Sequence, residues 1–315
     1  MQKTDLFLPY QKRWLKDNSR FKLSRKSRRT GFTWVQSFED VKDASTLKVR
    51  NKPVDVWFSS ANASAAKEYI IYCENWAKAI NAGFENLGEV IIDEDKDIKA
   101  LSLEFKNGAR INALSSNPAG FRSKGGKVVL DEFAFHKNPV ELWKAAKPVI
   151  TWGYPLRIIS SLNGTNNLFY KFCEQIEKGK LNWSLHDVDI FKAVDEGLVD
   201  KIYGRKTTKQ EREEWIKNEK ESCGDEVTWL QEYCCCAVDE ASAFLTFELI
   251  NSCSEDTIFE NLEKCADELY IGYDVARKKD LSVISIFEKK GSVFYLRKMI
   301  ELQNVHLRTQ KEILY

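Results

Sequence analysis

KVVLDE, residues 127–132, is the stretch that decides the fold. Three apolar residues follow Lys127 without a polar break, and the run stops at Asp131 and Glu132. A short, uninterrupted apolar run bounded in this way reads as a strand buried on both faces, the habit of a parallel sheet. Two acids at its carboxyl end form a Walker B pattern. One carboxylate holds Mg²⁺ through its water shell, and its neighbour orients and deprotonates an attacking water.

About 100 residues upstream lies Lys26-Ser27-Arg28-Arg29-Thr30-Gly31-Phe32-Thr33. Against the phosphate-loop pattern G-x-x-x-x-G-K-[ST] it keeps Gly31 and Thr33, but Lys26 stands for the first glycine and Phe32 for the lysine. A phosphate loop needs N–H groups at a helix N-terminus, a cation on the β and γ phosphates and a hydroxyl on Mg²⁺. Phe32 cannot supply the cation, whereas Lys26 at the mouth of the loop can reach across it. Downstream, Ser160-Ser161-Leu162-Asn163-Gly164 ends the next strand after Asp131, where hydroxyl and amide groups can sense a γ-phosphate. A degenerate loop, a buried acidic strand and a polar strand end, in this order, say more together than any one of them alone.

The flanking sequence alternates in the same style. Residues 54–59 and 156–161 read as strands, as does 183–188. Helices are expected at 61–82, 139–147, 168–178 and 207–221. Residues 100–105 and 110–114 flank Asn107-Gly108, a dipeptide that favours a type I′ hairpin turn. Strands alternating with helices predict a mostly parallel α/β sheet covered on both faces, with ligands at the carboxyl ends of its strands. Beyond residue 268 the runs 269–275, 281–287 and 292–299 read as three successive antiparallel strands, the last two joined at Lys290-Gly291.

Composition sets outer limits. With 43% hydrophobic and 30% charged residues the chain is not disordered, and no apolar run approaches the roughly 18 residues of a membrane span. The formal net charge of +1 conceals two poles. Residues 1–34 carry ten Lys/Arg against two Asp, and residues 239–268 carry nine Asp/Glu against one Lys. The eight cysteines show no C-x-x-C spacing, so they read as reduced thiols rather than a zinc site; Cys234, Cys235 and Cys236 are expected to fill a strand as small hydrophobes.

In order along the chain these strings resemble the large terminase subunit of tailed bacteriophages, most of all its phage Mu-like branch. The resemblance begins at Leu8-Pro9-Tyr10-Gln11 with Trp14, similar to an adenine-binding Gln motif, and continues through KSRRTGFTW at 26–34 as a deviant Walker A. It takes in residues 115–121 with Arg122, VVLDEFAFH at 128–136, SSLNG at 160–164 as a coupling motif, and Gln231-Glu232-Tyr233. It closes on Gly272-Tyr273-Asp274 through Val283, similar to the opening strands of an RNase H-like nuclease.

The resemblance implies a P-loop NTPase of the ASCE type over residues 1–240, an acidic linker at 241–268 and a truncated start of the nuclease domain at 269–315. It further implies that Gln11 reads the adenine edge, that residues Ser27, Arg28, Arg29, Thr30 and Gly31 cradle the phosphates, and that Lys26 is a displaced Walker A lysine. Thr33 and Asp131 would hold Mg²⁺ and Glu132 would be the catalytic carboxylate, with Ser161 and Asn163 coupling hydrolysis to movement. Two arginines compete for the finger on the transferred phosphoryl group: Arg28 acting in cis, and Arg122 acting on a neighbouring subunit.

Asp274 matches the first nuclease acid, a ligand for Mn²⁺ or Mg²⁺. The later acids have no counterpart before Tyr315, so no competent nuclease is expected. The implied ligands and partners are ATP, Mg²⁺, double-stranded DNA, a portal protein, a small terminase subunit and further copies in a ring. The implied setting is the host bacterial cytoplasm, with no membrane. Two other readings stay open: a non-catalytic prophage remnant that keeps nucleotide or DNA binding, and a helicase-like ATPase.

Overall fold

Why KVVLD is a strand is visible in its side chains: Val128 and Leu130 pack on one face with Leu142, Phe169 and Phe172, and Val129 packs on the other with Tyr69, Ile70 and Cys73. The computed structural model describes residues 6–93, 98–114, 117–238, 262–275, 281–303 and 305–314. The chain divides into two compact units, Met1–Ser242 and Ala243–Tyr315.

In chain order the strands of the first unit are β1 (Phe21–Lys26), a small hairpin of β2 (Lys48–Val49) and β3 (Lys52–Pro53), β4 (Val56–Ser59), β5 (Phe84–Asp93), β6 (Ile98–Phe105), β7 (Arg110–Leu114), β8 (Lys127–Asp131), β9 (Leu156–Ser160) and β10 (Ser184–Val188). Eight of them form one sheet in the order β10-β1-β9-β8-β4-β7-β6-β5. The pairs from β10 to β7 are all parallel, and β6 and β5 add an antiparallel edge. Strand β9 is inserted between β1 and β8. The phosphate-loop strand and the acidic strand thus flank a gap into which the end of β9 projects.

The helices are α1 (Pro9–Lys16), α2 (Phe32–Thr46), α3 (Ala63–Ala79), α4 (Pro139–Ala146), α5 (Leu168–Glu177), α6 (Ile190–Asp195), α7 (Leu198–Tyr203) and α8 (Lys209–Cys223). Side chains of α4 and α5 pack on one face of the sheet, and those of α2, α3, α1 and α6 form two clusters on the other. This sandwich is the α/β class expected, and most predicted elements appear within two residues of their expected ends.

Several details differ, and β1, α1, α6, α7 and the β2–β3 hairpin have no counterpart among the predicted elements. Strand β8 stops at Asp131 because Glu132 takes a left-handed conformation, φ 48°. At the β6–β7 turn only Gly108 is left-handed, φ 84°, so the turn lacks the two positive φ values that type I′ needs. Cys234, Cys235 and Cys236 form no strand; they follow a π-helical turn at Trp229–Tyr233, and Cys235 is left-handed at φ 55°, which no ladder accommodates. Strand β5 has no counterpart among the predicted elements, its apolar residues being diluted by Glu85, Asn86, Gly88 and Glu89 on an exposed edge.

The second unit contains β11 (Leu269–Asp274), β12 (Ser282–Lys290) and β13 (Val293–Leu302) as an antiparallel sheet in chain order, then a helix at Leu307–Leu314. Gly291 turns the last pair at φ 65°. Tyr273 donates to Gln310 Oε1 at 2.5 Å and ties the helix to β11. Residues 239–261, most of the expected acidic linker, and Asp280 lie outside the described residues. Among the described residues no helix is long and apolar enough to cross a membrane.

Candidate functional site

Strand β1 ends at Lys26, the chain turns through residues 27–31, and α2 begins at Phe32. The turn uses two left-handed residues, Arg29 at φ 57° and Gly31 at φ 73°. The Ser27 amide donates to the Val188 carbonyl at 2.7 Å, and the Thr30 hydroxyl to the Ser27 carbonyl at 2.9 Å. Tyr10 Oη and Gln11 Nε2 both donate to the Thr30 carbonyl, at 2.8 and 3.1 Å, while Gln11 Oε1 accepts the Leu8 amide at 3.0 Å. Any Cβ at position 31 would sit 2.8 Å from Gln11 Nε2, which adds a steric reason for glycine to the conformational one. Gln11 thus clamps the loop. No side chain caps α2, so the first-turn N–H groups face the loop as an anion-binding end.

The missing lysine has a packing explanation. Phe32 is buried, with its ring stacked on Tyr10 at 5.8 Å and edge-on to Trp14 at 5.6 Å. Position 32 therefore belongs to the aromatic cluster under α1, and a lysine there would point into that cluster. The cation that faces the acidic strand is Lys26, whose Nζ lies 2.7 Å from Glu132 Oε1. Thr33 Oγ1 donates towards both oxygens of Asp131, at 3.3 and 3.1 Å. Loop, helix start and acidic strand meet at one point.

Burial and the neighbouring Glu132 carboxylate raise the Asp131 pKa to about 7, opposed by Lys26 and the Thr33 hydrogen bond. Glu132 holds a left-handed backbone, and its buried Oε2 has no hydrogen-bond partner among the described residues. Strain and an unsatisfied carboxylate oxygen at one residue are costs that functional sites carry. Both acids can thus accept a cation and a water. Behind them the ring of His136 is buried, with Nε2 3.0 Å from the Asp131 carbonyl; burial lowers its pKa, opposed by the Asp131 carbonyl and the Glu132 carboxylate.

The end of β9 supports the acidic strand's exit. Ser160 Oγ accepts the Ala134 amide at 3.1 Å, and Asn163 Nδ2 donates to the Ala134 carbonyl at 3.2 Å; Ser161 is buried beside them. The two candidate fingers sit differently. The Arg28 guanidinium pairs with the Glu232 carboxylate, and its amide donates to the Glu232 carbonyl at 2.8 Å. Arg122 is exposed where a 3₁₀ turn at Pro118–Phe121 ends, and its side chain has no hydrogen-bond or ion-pair partner among the described residues. Residues 115 and 116 lie outside the description.

A buried charge cluster behind α2 was not legible in the sequence. Glu39 Oε1 accepts from Lys127 at 2.9 Å and Arg157 at 2.7 Å, and Oε2 accepts from Lys22 at 2.8 Å. Lys127 also reaches Asp40 at 2.8 Å and Asp43 at 2.5 Å, and Tyr69 donates to Asp40 at 2.8 Å. Lys22, Lys127 and Asp40 are fully buried. The cations stand at the amino ends of β1, β8 and β9, so the cluster pins the helix that carries Thr33 to three central strands. Its one signal was a Lys or Arg inside each apolar run, FKLS, KVVLD and LRIIS.

In the second unit Asp274 is exposed at the end of β11, opposite Val283. Among the described residues no group of three His, Cys, Asp or Glu side chains is placed to hold a metal ion.

Comparison with known proteins agrees with this geometry. Residues 24–252 match the family described as terminase large subunit, T4likevirus-type, N-terminal. The Mu-like prophage FluMu protein gp28 of Haemophilus influenzae is 32% identical over 347 residues, covering 98% of this chain and 68% of that protein. The probable terminase large subunit gp28 of Escherichia phage Mu is 37% identical over 202 residues, covering 62% of this chain and 36% of that protein. The large terminase of a thermophilic bacteriophage, solved also with ADP and with ATP-γ-S, shares the fold at a TM-score of 0.55 and 14% identity, over 98% of this chain and 73% of that one. With residues 24–252 matching that family and a relative 32% identical across nearly the whole chain, this chain belongs to the phage large terminase subunits.

Proposed function

We propose that the first unit hydrolyses ATP and that the cycle drives double-stranded DNA into a procapsid. The observation that carries this reading is the convergence of Lys26, Thr33, Asp131 and Glu132 at the end of an uncapped helix. The buried, unpartnered Glu132 Oε2 and the Thr33–Asp131 pair fit a hydrated Mg²⁺ beside a triphosphate. When bound, that ion neutralises charge on the phosphate oxygens.

The chain's own residues do the rest. Residues 27–31 and the first turn of α2 receive the phosphates, and Lys26 moves its ammonium from Glu132 to the γ-phosphate. Freed, Glu132 orients a water and takes its proton as the oxygen bonds to the γ-phosphorus. The bond from that phosphorus to the β–γ bridging oxygen breaks, leaving ADP and inorganic phosphate. Arg28 or Arg122 stabilises charge on the transferred group, and the Asn163 loop senses its departure. Gln11, which already grips the loop, reads the adenine edge.

In this reading the chain works as one copy of a ring on a portal protein, fed by a small terminase subunit in the host bacterial cytoplasm. Residues 1–240 form the motor and residues 269–315 the start of a nuclease in which Asp274 is a metal ligand. The test is ATP turnover with and without double-stranded DNA, in wild type and in Glu132→Gln and Lys26→Ala. DNA-stimulated turnover lost in both variants is expected; equal, DNA-independent background in all three would leave the remnant reading in its place.

A further inference from the structure

The hydrogen bonds around the site close into a ring. From the Lys26–Glu132 pair the chain runs to Ala134, whose amide and carbonyl are both held by the end of β9 through Ser160 and Asn163. Next to Asn163, the Gly164 amide donates to Gln231 Oε1. The following residue, Glu232, accepts the Arg28 amide at 2.8 Å on its carbonyl and the Arg28 guanidinium on its carboxylate. Arg28 lies two residues from Lys26, where the ring began. Two adjacent residues thus engage two loops that are 67 and 204 positions away in sequence.

The dipeptide is rigidly presented. Gln231 is buried, and the π-helical turn that carries it is anchored by Trp229, buried and stacked on Tyr233 at 5.0 Å. Single π turns concentrate at functional sites because they re-aim side chains that an α-helix would point elsewhere. Beyond residue 238 the chain continues towards the second unit. A displacement of either loop therefore acts on the last described turn before that connection.

We infer that Gln231 and Glu232 are positioning residues that lock the phosphate loop and the Asn163 loop into one register, so that a change at one loop is transmitted to the other. Among the described residues the side-chain hydrogen bond of Gln231 is to the Gly164 loop and the ion pair of Glu232 is to Arg28, so each side chain governs the other loop through its neighbour. The catalytic consequence rests on the ATP-hydrolysing reading above; the mechanical coupling does not.

Three variants of the full 315-residue chain test it: Gln231→Leu, Glu232→Gln and Gln231→Glu. Amide hydrogen exchange is followed in peptides covering 26–33 and 160–168, beside ATP turnover and the Kd of a fluorescent ATP analogue. In Gln231→Leu, exchange at 26–33 should rise at least about threefold, and in Glu232→Gln exchange at 160–168 should rise likewise. Turnover should fall about tenfold in both with Kd within about twofold, the mark of an interaction spent on the reaction rather than on binding. Gln231→Glu keeps an acceptor oxygen for Gly164 and should restore wild-type exchange.

Exchange altered only in the loop each side chain touches would overturn the inference, as would a Gln231→Glu variant no better than Gln231→Leu. If wild type hydrolyses no ATP, the ATPase reading fails while the exchange arms still decide the coupling. Should Gln231→Leu not fold, the exchange at 160–168 in Glu232→Gln decides alone.

Discussion

Lys26 Nζ lies 2.7 Å from Glu132 Oε1, joining the phosphate loop to the acidic strand across the intervening β9. In the proposed ATP-hydrolysing reading, the pair gives one lysine two alternatives, a carboxylate in this structure and a triphosphate in the working cycle. Glu132→Gln should therefore bind a fluorescent ATP analogue at least as well as wild type while losing about 10²–10⁴ in turnover, the usual size of a general-base contribution. Lys26→Ala should lose both. Separate Kd and kcat measurements check the split, and equal binding losses in the two variants would contradict it.

Asp131 gives the site a pH dependence whose sign follows from burial. Its folded pKa of about 7 lies above the ordinary carboxylate value, so the folded state holds the proton more tightly than the unfolded chain. The stability this contributes is fully present below the ordinary pKa, declines as pH rises towards 7 and is gone above it. Asp131→Asn, which cannot ionise, should be more stable than wild type at about pH 8 by about 1–3 kcal/mol and near wild type at about pH 4, yet inactive. Mg²⁺ affinity of wild type should rise as pH passes through about 7. Urea denaturation at the two pH values and a metal titration measure both.

Phe32→Lys would repair the phosphate-loop pattern and should damage the protein. The side chain lies between Tyr10 and Trp14 in a buried aromatic cluster. Removing a core phenyl ring and burying an ammonium should cost about 3–5 kcal/mol. Thermal denaturation should show a lowered midpoint with no gain in ATP turnover; a variant as stable and more active than wild type would refute the packing explanation.

Glu39 is the common anion of three buried cations, and burial, which raises its pKa, is outweighed by Lys127, Arg157 and Lys22, which hold it well below the ordinary range. Its stabilisation is therefore present above the ordinary carboxylate pKa and lost as pH falls below it. Glu39→Ala strands Lys22 and Arg157 without their only side-chain carboxylate partner among the described residues. It should cost about 3–5 kcal/mol near neutral pH, read by urea denaturation. An Ala variant within about 1 kcal/mol of wild type would show that Asp40 and Asp43 suffice.

What the sequence determined by itself was order and period. The apolar run before Asp131 and Glu132, the strand and helix alternation and the serine-rich end of β9 are local patterns, and each appears where its period places it. The direction of a side chain across the site is not local. Phe32 is turned away from the acidic strand because Tyr10 and Trp14 of another element claim it, and Lys26 is the cation that meets Glu132. Lys22, Lys127 and Arg157, plain interruptions of apolar runs, become one buried cluster only when α2 brings Glu39 over three strands. Gln231 and Glu232 acquire partners only through a π turn and a left-handed loop, backbone choices that tertiary packing makes and residue pattern does not.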